Sequence, residues 1–189
     1  MSAFLISVVY AQSSKEPSDI NKQVETYMNS LDCVYSRFFQ IRENKGYSGN
    51  FWLRKYDGLA NVRIEYTEGL KQNILIHGDK VIINDGKKKK TLSISRTPVF
   101  SVLSGKLDLS KENTEIIENS NEILRLKIKA YKSGELTLLF SKYKTTRNIQ
   151  ALEGWIFFDG KSETLFTFDP DTWSVKDKRK TPLKIFNID

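Results

Sequence analysis

One helix is predicted near the start of the chain, over residues 17–31. The apolar residues of this segment recur at spacings of three and four, which places them on one face of a helix. Ser18 can cap the first turn, directly after Pro17. The residues of the apolar stripe are Ile20, Val24, Tyr27, Met28 and Leu31.

After the helix the apolar residues alternate with polar ones, which is the pattern of β-strands. The clearest case is VRIEYT at residues 62–67, where Val62, Ile64 and Tyr66 alternate with Arg63 and Glu65. Short glycine-containing or polar turns separate the segments, so the sequence predicts an antiparallel meander of about ten strands that must curl or close. The predicted strands are 34–42, 50–56, 62–67, 73–76, 80–84, 91–95, 122–131, 135–143, 149–158 and 164–168.

Residues 97–120 separate the two groups of strands. Pro98 favours a helix start and Gly105 a helix end, which predicts a short helix or lid in this segment. The polar residues 106–120 are expected to form a loop with some helical turns.

The composition limits the partners and the kinds of site that the protein can have. The 189 residues fit one domain, and the formal charge of +7 suits nucleic acid, an anionic membrane surface or an acidic protein as partner. Cys33 and His77 are the single cysteine and the single histidine, which excludes an intrachain disulfide and any site with several thiols or imidazoles. We therefore predict no metal, no cofactor and no enzymatic activity. Cys33 is expected to be a buried hydrophobe and His77 a solvated turn residue.

The lysine run at residues 87–90 follows Asp85-Gly86, a strong hairpin signal. Lysines at the start of an edge strand oppose aggregation, and charge runs are usually solvated. We interpret the run as a solvated turn, and contact with anionic lipid headgroups is the alternative.

The N-terminal residues suggest export. Residues 4–10 are mostly apolar, and Val9 and Ala11 are small residues at the spacing of a signal-peptidase site. We expect residues 1–11 to be the remnant of a signal peptide and residues 12–189 to form a single domain outside the cytoplasm. The alternative is an apolar N-terminus without a targeting role.

Several motifs in order along the chain resemble the LolA family of periplasmic outer-membrane lipoprotein carriers. The chain departs from the family pattern at Tyr56, because the family usually has proline after the basic pair Arg54-Lys55. The hairpin between WIFFDG and TLFTF is also shorter than the family pattern. The motifs are SRFFQ with Phe38 and Gln40, GNFWLRK with the basic pair Arg54-Lys55, VRIEY, ILIHGDKVIIND, TPVFSVL and FTFDPDTWSVKDKR.

The resemblance implies a mainly β fold: an incomplete antiparallel β-barrel, or curved half-barrel, with an N-terminal helix and a short helical lid. It implies a periplasmic, monomeric chaperone whose concave face binds lipoprotein acyl chains. An inner-membrane ABC exporter of the LolCDE type would load it, and an outer-membrane acceptor of the LolB type or an equivalent would unload it.

Inward-facing apolar residues are the predicted lipid-binding site, although an ordinary filled core gives the same alternation. Lys55 shares a face with Phe51 and Leu53. We predict that Lys55 acts as a latch that holds the lid near residues 97–103 closed, by donating hydrogen bonds to carbonyl groups at the end of the lid helix. Projection of Lys55 to solvent is the alternative. The predicted lipid-binding residues are Phe51, Leu53, Val62, Ile64, Tyr66, Ile74, Ile76, Val81, Ile83, Phe100 and Leu103.

Two other functions fit parts of the pattern. A relative on the same fold could carry another lipid or a glycolipid. A basic β-barrel could bind single-stranded nucleic acid, with Trp52 and Tyr56 stacking on bases. The export-like N-terminus argues against nucleic acid.

Overall fold

The computed structural model describes residues 17–56, 59–78, 80–93, 114–120, 123–130, 134–142, 149–175 and 183–186. Within these ranges a helix, α1 (Pro17–Ser30), precedes the strands, and a 3-10 turn (Leu183–Phe186) follows them. The strands are β1 (Cys33–Arg42), β2 (Lys45–Tyr56), β3 (Leu59–Glu68), β4 (Asn73–His77), β5 (Lys80–Asn84), β6 (Lys89–Ser93), β7 (Thr114–Asn119), β8 (Ile123–Ala130), β9 (Gly134–Lys142), β10 (Ile149–Phe158), β11 (Glu163–Phe168) and β12 (Ser174–Val175).

All strands belong to one antiparallel sheet. Its order is β6-β5-β4-β3-β2-β1-β11-β10-β9-β8-β7, and the short β12 pairs with the start of β1. In the described part of the chain the two end strands, β6 and β7, do not pair with each other, so the sheet is not closed. The predicted fold class, an open, curved half-barrel with an N-terminal helix, is confirmed.

Two bulges are built around glycines where strands approach closely. The register shifts next to Gly49 between β2 and β3, and next to Gly154 between β9 and β10. A Cβ on Gly49 would lie 2.0 Å from the Glu65 carbonyl oxygen, and one on Gly154 would lie 2.1 Å from the Phe166 carbonyl oxygen. Bulges increase local twist, so these glycines help the long sheet to bend.

The strands differ most from the sequence prediction at β2 and β7, while β3 and β6 begin two or three residues earlier than predicted and the short β12 was not predicted. Strand β2 begins at Lys45 because Glu43 and Asn44, with φ of 51° and 60°, form a two-residue turn that continues the β1–β2 ladder. The expectation of a loop with helical turns was wrong for residues 114–119, which form β7 against β8. In β7, Ile116 packs against the core while Ile117 is exposed.

The lysine hairpin is confirmed as a solvated turn leading into an edge strand. The Asp85 carboxylate accepts the N–H groups of Lys88 (2.7 Å) and Lys87 (2.9 Å), and these bonds lower the pKa of Asp85. Gly86 supplies the positive φ of 82°. All four lysines are exposed, and β6 is one end of the sheet.

The core is one cluster on the inner face of the sheet, beneath α1. The apolar stripe of α1 enters this cluster as predicted, and both groups of strands contribute to it. The predicted lid segment, residues 97–103, lies outside the described residues, as do residues 1–16.

Candidate lipid-binding face

The inner face of β2 to β5 carries two apolar rows that run across the strands. In the first, Phe51 pairs with Ile64, which pairs with Ile74, which pairs with Ile83. The second row has the same construction, and its members are Leu53, Val62, Ile76 and Val81. The structure therefore brings these predicted residues together on one face. Phe100 and Leu103 lie outside the described residues.

Both rows are packed in this structure. Phe51 and all four members of the second row are fully or almost fully buried in the cluster that includes α1. Tyr66 and Ile83 are half-buried at its margin. An acyl chain could reach the rows only if a covering element moved, so their role in lipid binding stays a prediction.

The apolar stripe of helix α1 is buried in the same core cluster, and the helix also makes polar contacts with β10, β7 and β2. The Leu152 N–H donates to the Tyr27 hydroxyl oxygen at 2.7 Å, and the Asn21 amide donates to the Thr114 hydroxyl at 3.0 Å. The third contact joins Lys55 to the end of the helix. Burial raises the pKa of Tyr27 to about 12, so this phenol stays protonated at neutral pH.

Lys55 is half-buried on the inner face, as its alternation with Phe51 and Leu53 predicted. Its ammonium group donates to the carbonyl oxygen of Met28, one of the last carbonyls of α1. Such carbonyls lack an intrahelical partner and attract cations. The acceptor found here is thus on α1, whereas the predicted acceptors at 97–103 lie outside the described residues.

An aromatic cluster extends the inner face across β1, β11 and β10. Phe166 stacks between Trp155 and Phe38, with ring centroids 4.1 and 4.5 Å away. Phe168 adds edge contacts to Trp155 and Phe51. Sequence reasoning did not select this cluster. The alternation in FTF at residues 166–168 was the available signal, but its pairing with β1 joins distant parts of the chain.

Tyr66 closes the aromatic cluster at its β3 side. Its hydroxyl group donates to the Gln40 side-chain oxygen at 2.6 Å, and its ring contacts Phe38 edge-on. Burial raises the pKa of Tyr66 to about 12, an effect that the charge of Arg42 partly opposes. Tyr66 therefore combines a fixed polar end with an apolar ring at the margin of the inner face.

The outer face of the sheet has a different character. A hollow of about 640 Å³ lies over β11, β1, β2 and β3, and polar residues such as Arg37, Asn50 and Asp169 line much of it. Next to it Trp52 is half-buried with its ring 5.6 Å from that of Tyr35. This arrangement gives no support to base stacking by Trp52.

The described residues give three further findings. They include no group of three or more histidine, cysteine or acidic residues placed to hold a metal ion. Cys33 is buried, as predicted, and the exposed His77 contacts the Asn61 amide oxygen. No helix in this part of the chain combines the length and the apolar character needed to cross a membrane.

Comparison with known proteins finds similar folds among solved structures. No protein-family model matches the sequence, and no curated protein matches it. Among solved structures, MucB superposes with a TM-score of 0.57 at 12% identity, covering 94% of this chain and 64% of the MucB chain. A DUF1329 family protein from Desulfovibrio piger superposes with a TM-score of 0.50 at 12% identity, covering 92% of this chain and 98% of the other.

The chain shares the fold of these two proteins. It spans less than two thirds of MucB. A LolA superfamily protein from Nitrosomonas europaea also matches, with a TM-score of 0.48 at 10% identity over 91% of this chain and 97% of the other. A LolA superfamily protein is thus among the structures that this chain matches, as the sequence resemblance predicted, and at these identities the likeness concerns the fold alone.

Proposed function

We propose that this protein is a carrier that shields lipid acyl chains in the periplasm, and that its cargo is lipoprotein on its way from the inner to the outer membrane. One observation carries the proposal: in the described residues, two apolar rows run across the inner face of a sheet whose two end strands do not pair with each other, and α1 packs in the same apolar cluster. A carrier of this kind needs no nucleophile or base.

The energetics fit reversible binding. Each methylene transferred from water contributes about 0.8 kcal/mol. A chain entering the inner face must displace apolar contacts that already exist in the core cluster, to which α1 contributes Val24 and Met28. The net gain is therefore much smaller than the gross transfer energy, which allows cargo to be passed on.

The partners that we propose follow from the resemblance seen in the sequence. An exporter of the LolCDE type would load the carrier, and an acceptor of the LolB type or an equivalent would receive the cargo. Extracytoplasmic location agrees with the apolar segment at residues 4–10 and its small residues. The matched structures of MucB include complexes with MucA, so a protein of this fold does bind another protein.

Native mass spectrometry tests the proposed cargo. The protein is purified without detergent from the cell envelope in which it is made, and the mass of any bound molecule is measured. Acylated protein supports the proposal, and a free lipid or glycolipid assigns the other cargo class to the same fold. Repeated recovery of the unliganded mass alone, together with no uptake of lipoprotein in a reconstituted assay, refutes the carrier function.

A further inference from the structure

The first apolar row opens towards one edge of the sheet. Along it the exposed fraction of the side chain rises from 1% at Phe51 to 3% at Ile64 and 9% at Ile74, and Ile83 is half-buried. The next partner in register, on the edge strand β6, is Lys90, which is exposed. The row therefore leads from the core to a cation.

Strand alternation separates Lys90 from its neighbour Lys89. Leu92, two residues after Lys90, packs against the core, so Lys90 lies on the inner face and Lys89 on the outer face of β6. Within the described residues Lys90 has neither an ion pair nor a side-chain hydrogen bond. A charge that lies at the end of an apolar row and pairs with none of the described residues is available to a ligand.

From this placement we propose that the site takes a lipid with an anionic phosphate or carboxylate group, whose acyl chain lies along the first row and whose charged group contacts Lys90. The inference rests on the proposed function and deepens it by naming the class of lipid. Four interstrand spacings of about 4.8 Å separate β2 from β6, or about 19 Å. One leaflet of a bilayer is about 15 Å of hydrocarbon, so the row is long enough for a membrane acyl chain.

Binding of two single-chain lipids by the whole protein tests the inference. Lysophosphatidylglycerol is anionic and lysophosphatidylcholine is zwitterionic, and with the same acyl chain they differ only in the headgroup. Calorimetry below their micelle concentrations gives both affinities. A basic residue near an anionic headgroup contributes about 1 kcal/mol, which corresponds to about fivefold in affinity. We expect the protein to prefer the anionic lipid by about that factor.

Paired variants locate the effect. Lys90→Gln should lose most of the preference, and Lys90→Arg should keep it. Lys89→Gln is the matched control, because it removes the same charge from the same strand on the opposite face, and it should leave the preference intact. Lys90 is exposed, so Lys90→Gln should unfold in urea like the parent protein. Lys89 has a contact of its own, so the unfolding of each variant is measured beside its affinities, and a destabilised glutamine variant is replaced by the methionine variant at the same position.

The outcomes separate this inference from the carrier function. Equal affinity for the two lipids, or equal losses in the Lys89 and Lys90 variants, overturns the inference and leaves acyl-chain binding standing. Glycerophosphoglycerol alone, binding as tightly as the whole lipid, overturns it as well, because the site is then a simple anion site. Failure of both lipids to bind also overturns the inference, and the lipoprotein-uptake assay described above then decides separately on the carrier function.

Discussion

Replacement of Lys55 by leucine should make the proposed carrier bind an acylated ligand more tightly and release it less readily. The Lys55 ammonium group donates to the Met28 carbonyl at the end of α1, in the state where the apolar rows are covered. If an acyl chain enters by displacing α1, that bond exists only in the empty state. Removing it raises the free energy of the empty state and therefore favours the loaded one.

The magnitude follows from the contact. A hydrogen bond involving a charged group contributes about 1.5–3 kcal/mol, and the half-buried position of Lys55 places it at the lower end of that range. A loss of about 1.4 kcal/mol corresponds to a tenfold change in an equilibrium constant. We expect Lys55→Leu to bind an acylated ligand about ten times more tightly and to transfer it to an acceptor about ten times less efficiently.

Equilibrium titration with a fluorescent acyl lipid, followed by transfer to acceptor vesicles, measures both quantities. Lys55→Arg retains a donor and a charge and should behave like the parent protein. Lys71→Leu removes an exposed lysine from the loop between β3 and β4 and controls for the loss of charge. Affinity and transfer that remain within twofold of the parent in Lys55→Leu refute the idea that this contact distinguishes the empty from the loaded state.

Two further predictions concern the close approach of strands at Gly49 and the pH dependence of folding stability. Gly49→Ala should lower the free energy of unfolding in urea by about 2–3 kcal/mol, because its Cβ would lie 2.0 Å from the Glu65 carbonyl oxygen; Gly46→Ala, which meets only a flexible ring at 3.1 Å, should cost less than half as much, and equal effects contradict the close approach. Burial raises the pKa of Tyr27 and Tyr66 to about 12, so folding stability should be fully present below pH 10 and fall as the pH rises towards 12, by up to about 2.7 kcal/mol for each phenol. Urea unfolding at successive pH values checks this, and a slope that stays the same in Tyr27→Phe argues against that tyrosine as a source.

The sequence predicted the inner face well because alternation is a local property. In VRIEYT the residues that face inward follow directly from a period of two, and the structure places Val62 and Ile64 inside. The register that joins Ile64 to Ile74 and Ile83 is set by the turns between the strands. Alternation alone therefore did not predict which residues form a row, and only the structure shows the rows.

The missed features depend on tertiary contacts or on weak local signals. Strand β7 is rich in glutamate and asparagine, which are depleted in strands, yet pairing with β8 and packing of Ile116 decide its conformation. The helical period predicted α1, but the helix pattern contains no information about what its stripe covers. The contact between Lys55 and Met28 could therefore not be foreseen from either segment alone.

The pairing of β1 with β11 has a consequence for how the protein folds. The Thr167 hydroxyl donates to the Phe39 carbonyl across this seam, over a sequence separation of 128 residues. Contacts of such high sequence separation make folding slow, because the entropy cost of closing the intervening loop comes before the contacts can stabilise the fold. The two halves of the sheet can therefore join only after the residues of β11, up to Phe168, have been synthesised.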